Sequence, residues 1–246
     1  MSTTILGHAG AAHAAPSNTM EAFRLAIAEG ADGTELDVQM TGDGQLVCIH
    51  DAQLDAMTDG HGFLIDKTYD YISHLNFSIQ KPGYIKPTRV PLLSEVLELF
   101  RSQPGFVVNI EIKSAEVIYP GIERKIVDLV REYDMADRVW YSNFNHFSLL
   151  ALREYDPDAV IAPLYNEGLI EPWKYAETMH TDVIHPFYRN LTEGPGILEG
   201  LRDHSIKPVA WTVDNEDDIR WMIEHDVPAI ITDRPAVARS IRDESR

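Results

Sequence analysis

Glu35 and Asp37 lie one residue apart in the run GTELDVQM, Gly33 to Met40. In an extended strand the side chains at i and i+2 point the same way. Both carboxylates therefore share one face, while Leu36, Val38 and Met40 take the other. Two like charges on one face repel and make poor core material; a cation between them removes the conflict. A turn rich in glycine and aspartate, Thr41-Gly42-Asp43-Gly44, and a short apolar strand, Gln45 to Ile49, then bring His50 back to the same neighbourhood. Glu111 and Lys113 repeat the i, i+2 spacing, and His8 follows the first apolar run. Three carboxylates without cysteine suit a hard, oxygen-seeking cation, Mg²⁺ or Ca²⁺, better than zinc. Such ions bind phosphate oxygens, and Lys113 would add a point charge to the same phosphate. Two histidines can take and give protons near neutral pH. These are the parts that break a phosphodiester: charge is neutralised on the phosphoryl oxygens, one imidazole deprotonates the attacking hydroxyl, and the other protonates the leaving alkoxide. Each residue alone has a plainer reading. A strand-end histidine is often structural, and Glu-x-Asp can be half of a salt-bridge network. Those readings do not explain why so many of them converge.

Convergence requires a fold that gathers strand ends. Thr3 to Leu6 is an apolar strand opening into a loop through His13 and Pro16. Ser17 or Asn18 then caps a helix that Gly30 ends. With the strand Thr34 to Met40 this makes one βαβ unit and implies parallel pairing. Residues 52–91 lack a clean period and read as an insertion over one end of the domain, holding short helices. Strands follow at 106–112, 139–142, 159–164, 182–185, 208–213 and 229–232, each followed by a helical pattern. Eight strand–helix units in 246 residues, with short strands apolar on both faces, fit a closed (β/α)8 TIM barrel in one domain better than an open sheet. In such a barrel the strand ends meet at one mouth. That is where His8, Glu35, Asp37, Glu111, Lys113, Ser142-Asn143, His185, Trp211, Asp214 and Asp233 fall. Two of these have a bland expectation: Trp211 fills the barrel core, and Asp233, before Arg234-Pro235, caps the last helix.

Composition narrows the partners. Lys plus Arg is 21 against 39 Asp plus Glu, a net charge of −18, which repels nucleic acid and anionic membrane. The single cysteine, Cys48, sits in an apolar strand and rules out a disulfide framework. Neither a basic leader nor an apolar run of about 20 residues is present, so the expected compartment is the cytoplasm. A lipid-cleaving relative would need an apolar, membrane-docking surface, and no amphipathic basic segment supplies one.

The motifs in their order resemble the glycerophosphodiester phosphodiesterases, TIM-barrel enzymes related to phosphatidylinositol-specific phospholipase C. The matching segments are His8-x-Gly10, Pro16-x-Asn18-Thr19, Glu35-Leu36-Asp37-Val38, Thr41-x-Asp43-Gly44, His50-Asp51, Asn109-x-Glu111-x-Lys113, Trp211-Thr212-Val213 and Ile231-Thr232-Asp233-Arg234-Pro235. The resemblance covers nearly the whole chain. It implies Glu35, Asp37 and Glu111 as metal ligands, His8 and His50 as the catalytic pair, Lys113 on the phosphate and Trp211 as a wall of the substrate pocket. It also implies a divalent cation and a small phosphodiester substrate such as glycerophosphocholine; the acidic charge argues against stable membrane association, and a homo-oligomer is left open. The chain departs from the family pattern twice. Ala9 stands where the family carries arginine, and Ser17 where it carries glutamate. Each change removes a charge from the first loop, and His13 in that loop is a candidate replacement donor. The roomier loop leaves a sugar-phosphodiester of the agrocinopine-like opine type as an alternative substrate. A barrel that only binds phosphorylated metabolites is the non-catalytic alternative, against which the retained histidine pair argues.

Overall fold

The computed structural model describes residues 2–245. In chain order the elements begin β1 (Thr4–Gly7), α1 (Met20–Ala28), β2 (Gly33–Met40) and β3 (Leu46–Cys48). Three 3-10 turns (Leu54–Ala56, Leu64–Asp66, Phe77–Gln80) and the short helix α2 (Tyr69–Ser73) fill the insertion. Regular alternation then runs α3 (Leu93–Arg101), β4 (Val107–Ile112), α4 (Ile122–Glu132), β5 (Val139–Asn143), α5 (His146–Tyr155), β6 (Ile161–Tyr165), α6 (Pro172–Thr178) and β7 (Val183–Pro186). It ends with α7 (Arg189–Thr192), α8 (Ile197–Asp203), β8 (Lys207–Ala210), α9 (Glu216–Glu224), β9 (Ala229–Thr232) and α10 (Pro235–Glu244).

β1 pairs in parallel with both β2 and β9, so the sheet closes into a TIM barrel of eight parallel strands. β3 stands outside the ring as an antiparallel hairpin partner of β2, with Val38 opposite Cys48. The closing rule is the period of two. On β2, Leu36 and Val38 point outward into the layer that Phe23, Leu97 and Phe100 bury against the barrel. Glu35 and Asp37, on the other face, point inward. Parallel register then sets Glu35 beside Asn109 and Asp37 beside Glu111 on β4. The outer layer is anchored by aromatic contacts: Phe23 meets Phe100 edge-on at 5.5 Å, and Phe100 stacks on Phe106 at 4.9 Å. The insertion has its own apolar cluster, with Leu54, Leu64, Ile72 and Phe77 packed on Val47 and Ile49 of the hairpin that carries His50. Among the described residues no helix is long and apolar enough to cross a membrane.

Three local expectations need correction. The N-cap of α1 is Thr19, whose hydroxyl accepts from the Ala22 amide; Asn18 is left-handed (φ 57°) and its side chain is engaged elsewhere. The strand expected at 208–213 ends at Ala210, and Trp211 pairs only through a single bridge to Phe187. Asp233 does not cap α10, whose N-cap position is Arg234 with no side-chain cap.

Candidate active site

The inward carboxylates of Glu35, Asp37 and Glu111 form one cluster, with an oxygen of each lying within 4.8 Å of the others. Separate elements aim each of them. The backbone amide of Ala9, left-handed at φ 47°, donates to Glu35 Oε2 at 3.0 Å. Asn18 donates its amide to Asp37 Oδ2 at 2.7 Å and accepts from the Asp37 backbone N–H at 3.1 Å. Lys113 donates to Glu111 Oε1 at 2.8 Å and lies 3.7 Å from Asp37 Oδ1. Glu35 Oε1 is buried without a hydrogen-bond partner. A buried carboxylate oxygen left bare costs free energy, and the missing partner is what a bound cation supplies. The donor set is all oxygen and anionic, so the residues fit a divalent hard cation.

The electrostatics follow from this crowding. Burial, then the neighbouring charge of Asp37, raise Glu35 to about 8. Burial also raises Glu111, though Lys113 opposes it. Asp37 goes the other way: burial pushes it up, but Lys113, His50 and the Asn18 hydrogen bond together outweigh that and lower it. Lys113 is desolvated yet held above its ordinary value by the charges of Asp37 and Glu111.

The two imidazoles adjoin the cluster, His8 beside Glu35 and His50 beside Glu111. His8 Nδ1 donates to Asp233 Oδ1 at 2.6 Å. Burial pulls the His8 pKa down; the Asp233 bond and the charges of Glu35, Asp233 and Asp37 overcome this and lift it to about 10. Asp233 is fixed in turn, because its backbone N–H donates to Asp214 Oδ1 at 2.7 Å. His50 Nδ1 donates to Asp51 Oδ1 at 2.5 Å, and its Nε2 accepts from Lys113 at 3.1 Å. Gln39 holds the His50 carbonyl at 2.6 Å and is itself gripped by the Tyr119 hydroxyl, also at 2.6 Å. Each ring is thus oriented by a carboxylate on its Nδ1, while the Nε2 of His50 meets Lys113.

A cavity of about 340 Å³ opens beside His50, Glu111 and Lys113, with Asn143, Phe144 and Asn166 on its far wall. Phe144 faces this space, and Trp211 stands behind it, edge-on at 5.5 Å, its Nε1 donating to the His185 carbonyl at 2.7 Å. His185 is fully buried in the barrel, where desolvation lowers its pKa to about 3 and keeps the ring neutral; it takes no part in the cluster. His13 is not brought to the carboxylates: its Nε2 pairs with Glu29 Oε1 at 2.7 Å. Sequence reasoning missed the roles of Asp233 and Asn18. Their local sequence signals caps, and only the barrel brings their partners, His8 and Asp37, within reach.

The sequence profile of the glycerophosphoryl diester phosphodiesterase family matches residues 8–237. A glycerophosphodiester phosphodiesterase of Caldanaerobacter subterraneus subsp. tengcongensis is 43% identical over 235 residues, covering 96% of each chain. The crystal structure of a glycerophosphodiester phosphodiesterase from Agrobacterium tumefaciens superposes with a TM-score of 0.83 at 28% identity, over 97% of this chain and 99% of that one. A structure from Silicibacter pomeroyi shares the fold with a TM-score of 0.90 at 24% identity, over 99% and 94% of the two chains.

Proposed function

Because the chain belongs to the glycerophosphoryl diester phosphodiesterase family, we propose that it is a cation-dependent enzyme cutting small glycerophosphodiesters into an alcohol and glycerol 3-phosphate. The observation that carries this reading is the bare Glu35 oxygen within a three-carboxylate cluster flanked by two oriented imidazoles. Glu35, Asp37 and Glu111 would hold Mg²⁺ or Ca²⁺, which when bound supplies charge neutralisation to the phosphoryl oxygens. His8 is raised by Asp233 and by the charges of Glu35 and Asp37; with those two carboxylates neutralised, the ring would accept a proton nearer neutral pH.

The chain's own residues divide the remaining work. Lys113, already between Asp37 and Glu111, offers its ammonium to a phosphate oxygen. His50 lines the cavity, so an alcohol seated there leaves past its ring; with Lys113 drawn to the phosphate, His50 Nε2 would carry the proton that the departing oxygen takes. His8, beside Glu35, would take the proton of an attacking water, whose oxygen bonds to phosphorus as the bond to the departing alcohol oxygen breaks. Asp233 stabilises the imidazolium that forms, as an orienting carboxylate does behind any histidine base. Phe144, braced by Trp211, and the amides Asn143 and Asn166 bound the space for the alcohol. No arginine side chain reaches this centre from position 9, where the backbone of Ala9 instead orients Glu35.

The test is turnover of glycerophosphocholine, glycerophosphoethanolamine and a sugar phosphodiester by EDTA-stripped protein before and after Mg²⁺ or Ca²⁺ is restored. The expected result is glycerol 3-phosphate release that needs the cation. Stoichiometric binding without product, or undiminished turnover after stripping, contradicts the proposal.

A further inference from the structure

We infer that the insertion is a working part of the site: Lys81 and Gln80 are positioning residues that strap the first loop and so aim Glu35 and Asp37. This rests on the functional reading above and extends it to two residues outside the barrel.

The loop between β1 and α1 does two jobs at once. Its first residue after His8, Ala9, orients Glu35 through a backbone N–H, and Asn18, just before the Thr19 cap, orients Asp37 through a side-chain amide. Both residues are left-handed, at φ 47° and 57°, a conformation that Asn takes readily but Ala holds only when its surroundings impose it. The Asn18 N–H closes the loop on the Ala9 carbonyl at 2.9 Å. Any slack in residues 9–18 therefore moves two of the three carboxylates together.

Two sets of contacts remove that slack. On the barrel side the His13 N–H donates to the Asp233 carbonyl at 3.2 Å, and the His13 ring holds Glu29. On the other side the insertion reaches down. Lys81 Nζ donates to the Ala12 carbonyl at 2.6 Å, and Gln80 Nε2 to the Ser17 carbonyl at 3.1 Å. The two donors are adjacent in sequence and sit at the end of the 3-10 turn Phe77–Gln80. That turn is fixed by Phe77, fully buried in the insertion's own core together with Ile49 of the His50 hairpin. The insertion thus joins the His50 side of the site to the loop that follows His8. A charged donor on a backbone carbonyl is among the stronger neutral-to-ion hydrogen bonds, and misplacing reacting groups by about 1 Å can cost on the order of 100-fold in rate.

The experiment compares Lys81→Met, which keeps the aliphatic stem and removes the donor, with Lys81→Arg, which keeps a donor. Three quantities are read on the full chain: amide hydrogen exchange of residues 9–18, the cation concentration giving half of the maximal thermal shift, and kcat against KM. Lys81→Met should speed exchange in this loop, raise the half-saturating cation concentration by about 10-fold and lower kcat by about 10-fold with KM little changed. Lys81→Arg should recover most of each. Wild-type exchange, cation affinity and kcat in Lys81→Met overturn the inference. So does a lowered melting temperature without change in cation affinity, which marks a merely structural contact. If the wild type itself neither takes up a cation nor turns over diesters, the functional reading fails. The exchange comparison still decides whether the strap exists.

Discussion

Glu35→Gln is expected to lower kcat/KM by about 10³-fold and, in the same protein stripped of cation, to raise thermal stability. The two effects have one cause. Glu35 is buried beside Asp37 and Glu111, and Gln is its uncharged isostere. With a cation present, the substitution removes one of three anionic ligands; several kcal/mol of charge stabilisation in the transition state, at about 1.4 kcal/mol per tenfold, corresponds to roughly 10³. Without a cation, the same charge is a liability. Burial and Asp37 raise the Glu35 carboxyl to about 8 from an ordinary value near 4.5. The sign follows from proton uptake. Between those two values the folded chain keeps a proton that the unfolded chain has released, so rising pH destabilises the fold across the window from about 4.5 to about 8. Glu35→Gln takes that slope away. Its Ala9 N–H partner still finds an acceptor, and the new amide can donate toward the neighbouring carboxylates. The check is a pair of melting curves, cation-free and cation-loaded, at pH 5 and pH 8. Cation should stabilise the wild type markedly and the variant little. A variant less stable than wild type at pH 8 without cation would mean the cluster is an ordinary ion-pair network built around Lys113.

His8→Ala should cost between about 10² and 10⁴ in kcat while leaving KM and the cation-induced thermal shift close to wild type. His8 touches Asp233 and faces Glu35 without ligating in the three-carboxylate set, so its loss should separate proton transfer from cation binding. Asp233→Asn should lie on the same path with a smaller loss, about 10- to 100-fold, since the amide no longer stabilises an imidazolium. The double variant should be little worse than His8→Ala alone, because the aspartate acts only through the ring. Losses that simply add would place Asp233 in a separate, structural role.

Much of this site could be read from the sequence because it depends on short-range geometry. The period of two fixes Glu35 with Asp37 and Glu111 with Lys113 whatever the rest of the fold does, and a strand end followed by glycine places His8 at a loop mouth. Repeated strand–helix alternation at this length makes a closed parallel barrel, and closure does the gathering. What stayed hidden depends on partners far away in sequence. Asp233 sits next to Pro235, and a local eye sees a helix start; its partner His8 lies 225 positions earlier. Asn18 precedes a helix and invites the same reading, but its left-handed backbone swings the side chain to Asp37 and passes the cap to Thr19. His13 looked free to meet a phosphate, yet Glu29 takes its ring. Trp211 packs on Leu6, Val209 and Ile231 of the barrel strands. It braces Phe144, whose ring is the one that faces the cavity.

The most direct measurement is anomalous diffraction from crystals grown with Mn²⁺, a heavier stand-in for a hard divalent cation. A single strong peak in contact with carboxylate oxygens of Glu35, Asp37 and Glu111, lost in Glu35→Gln crystals, is what this account requires. A peak elsewhere on the acidic surface, with this centre empty in a protein that still cleaves glycerophosphodiesters, would contradict it.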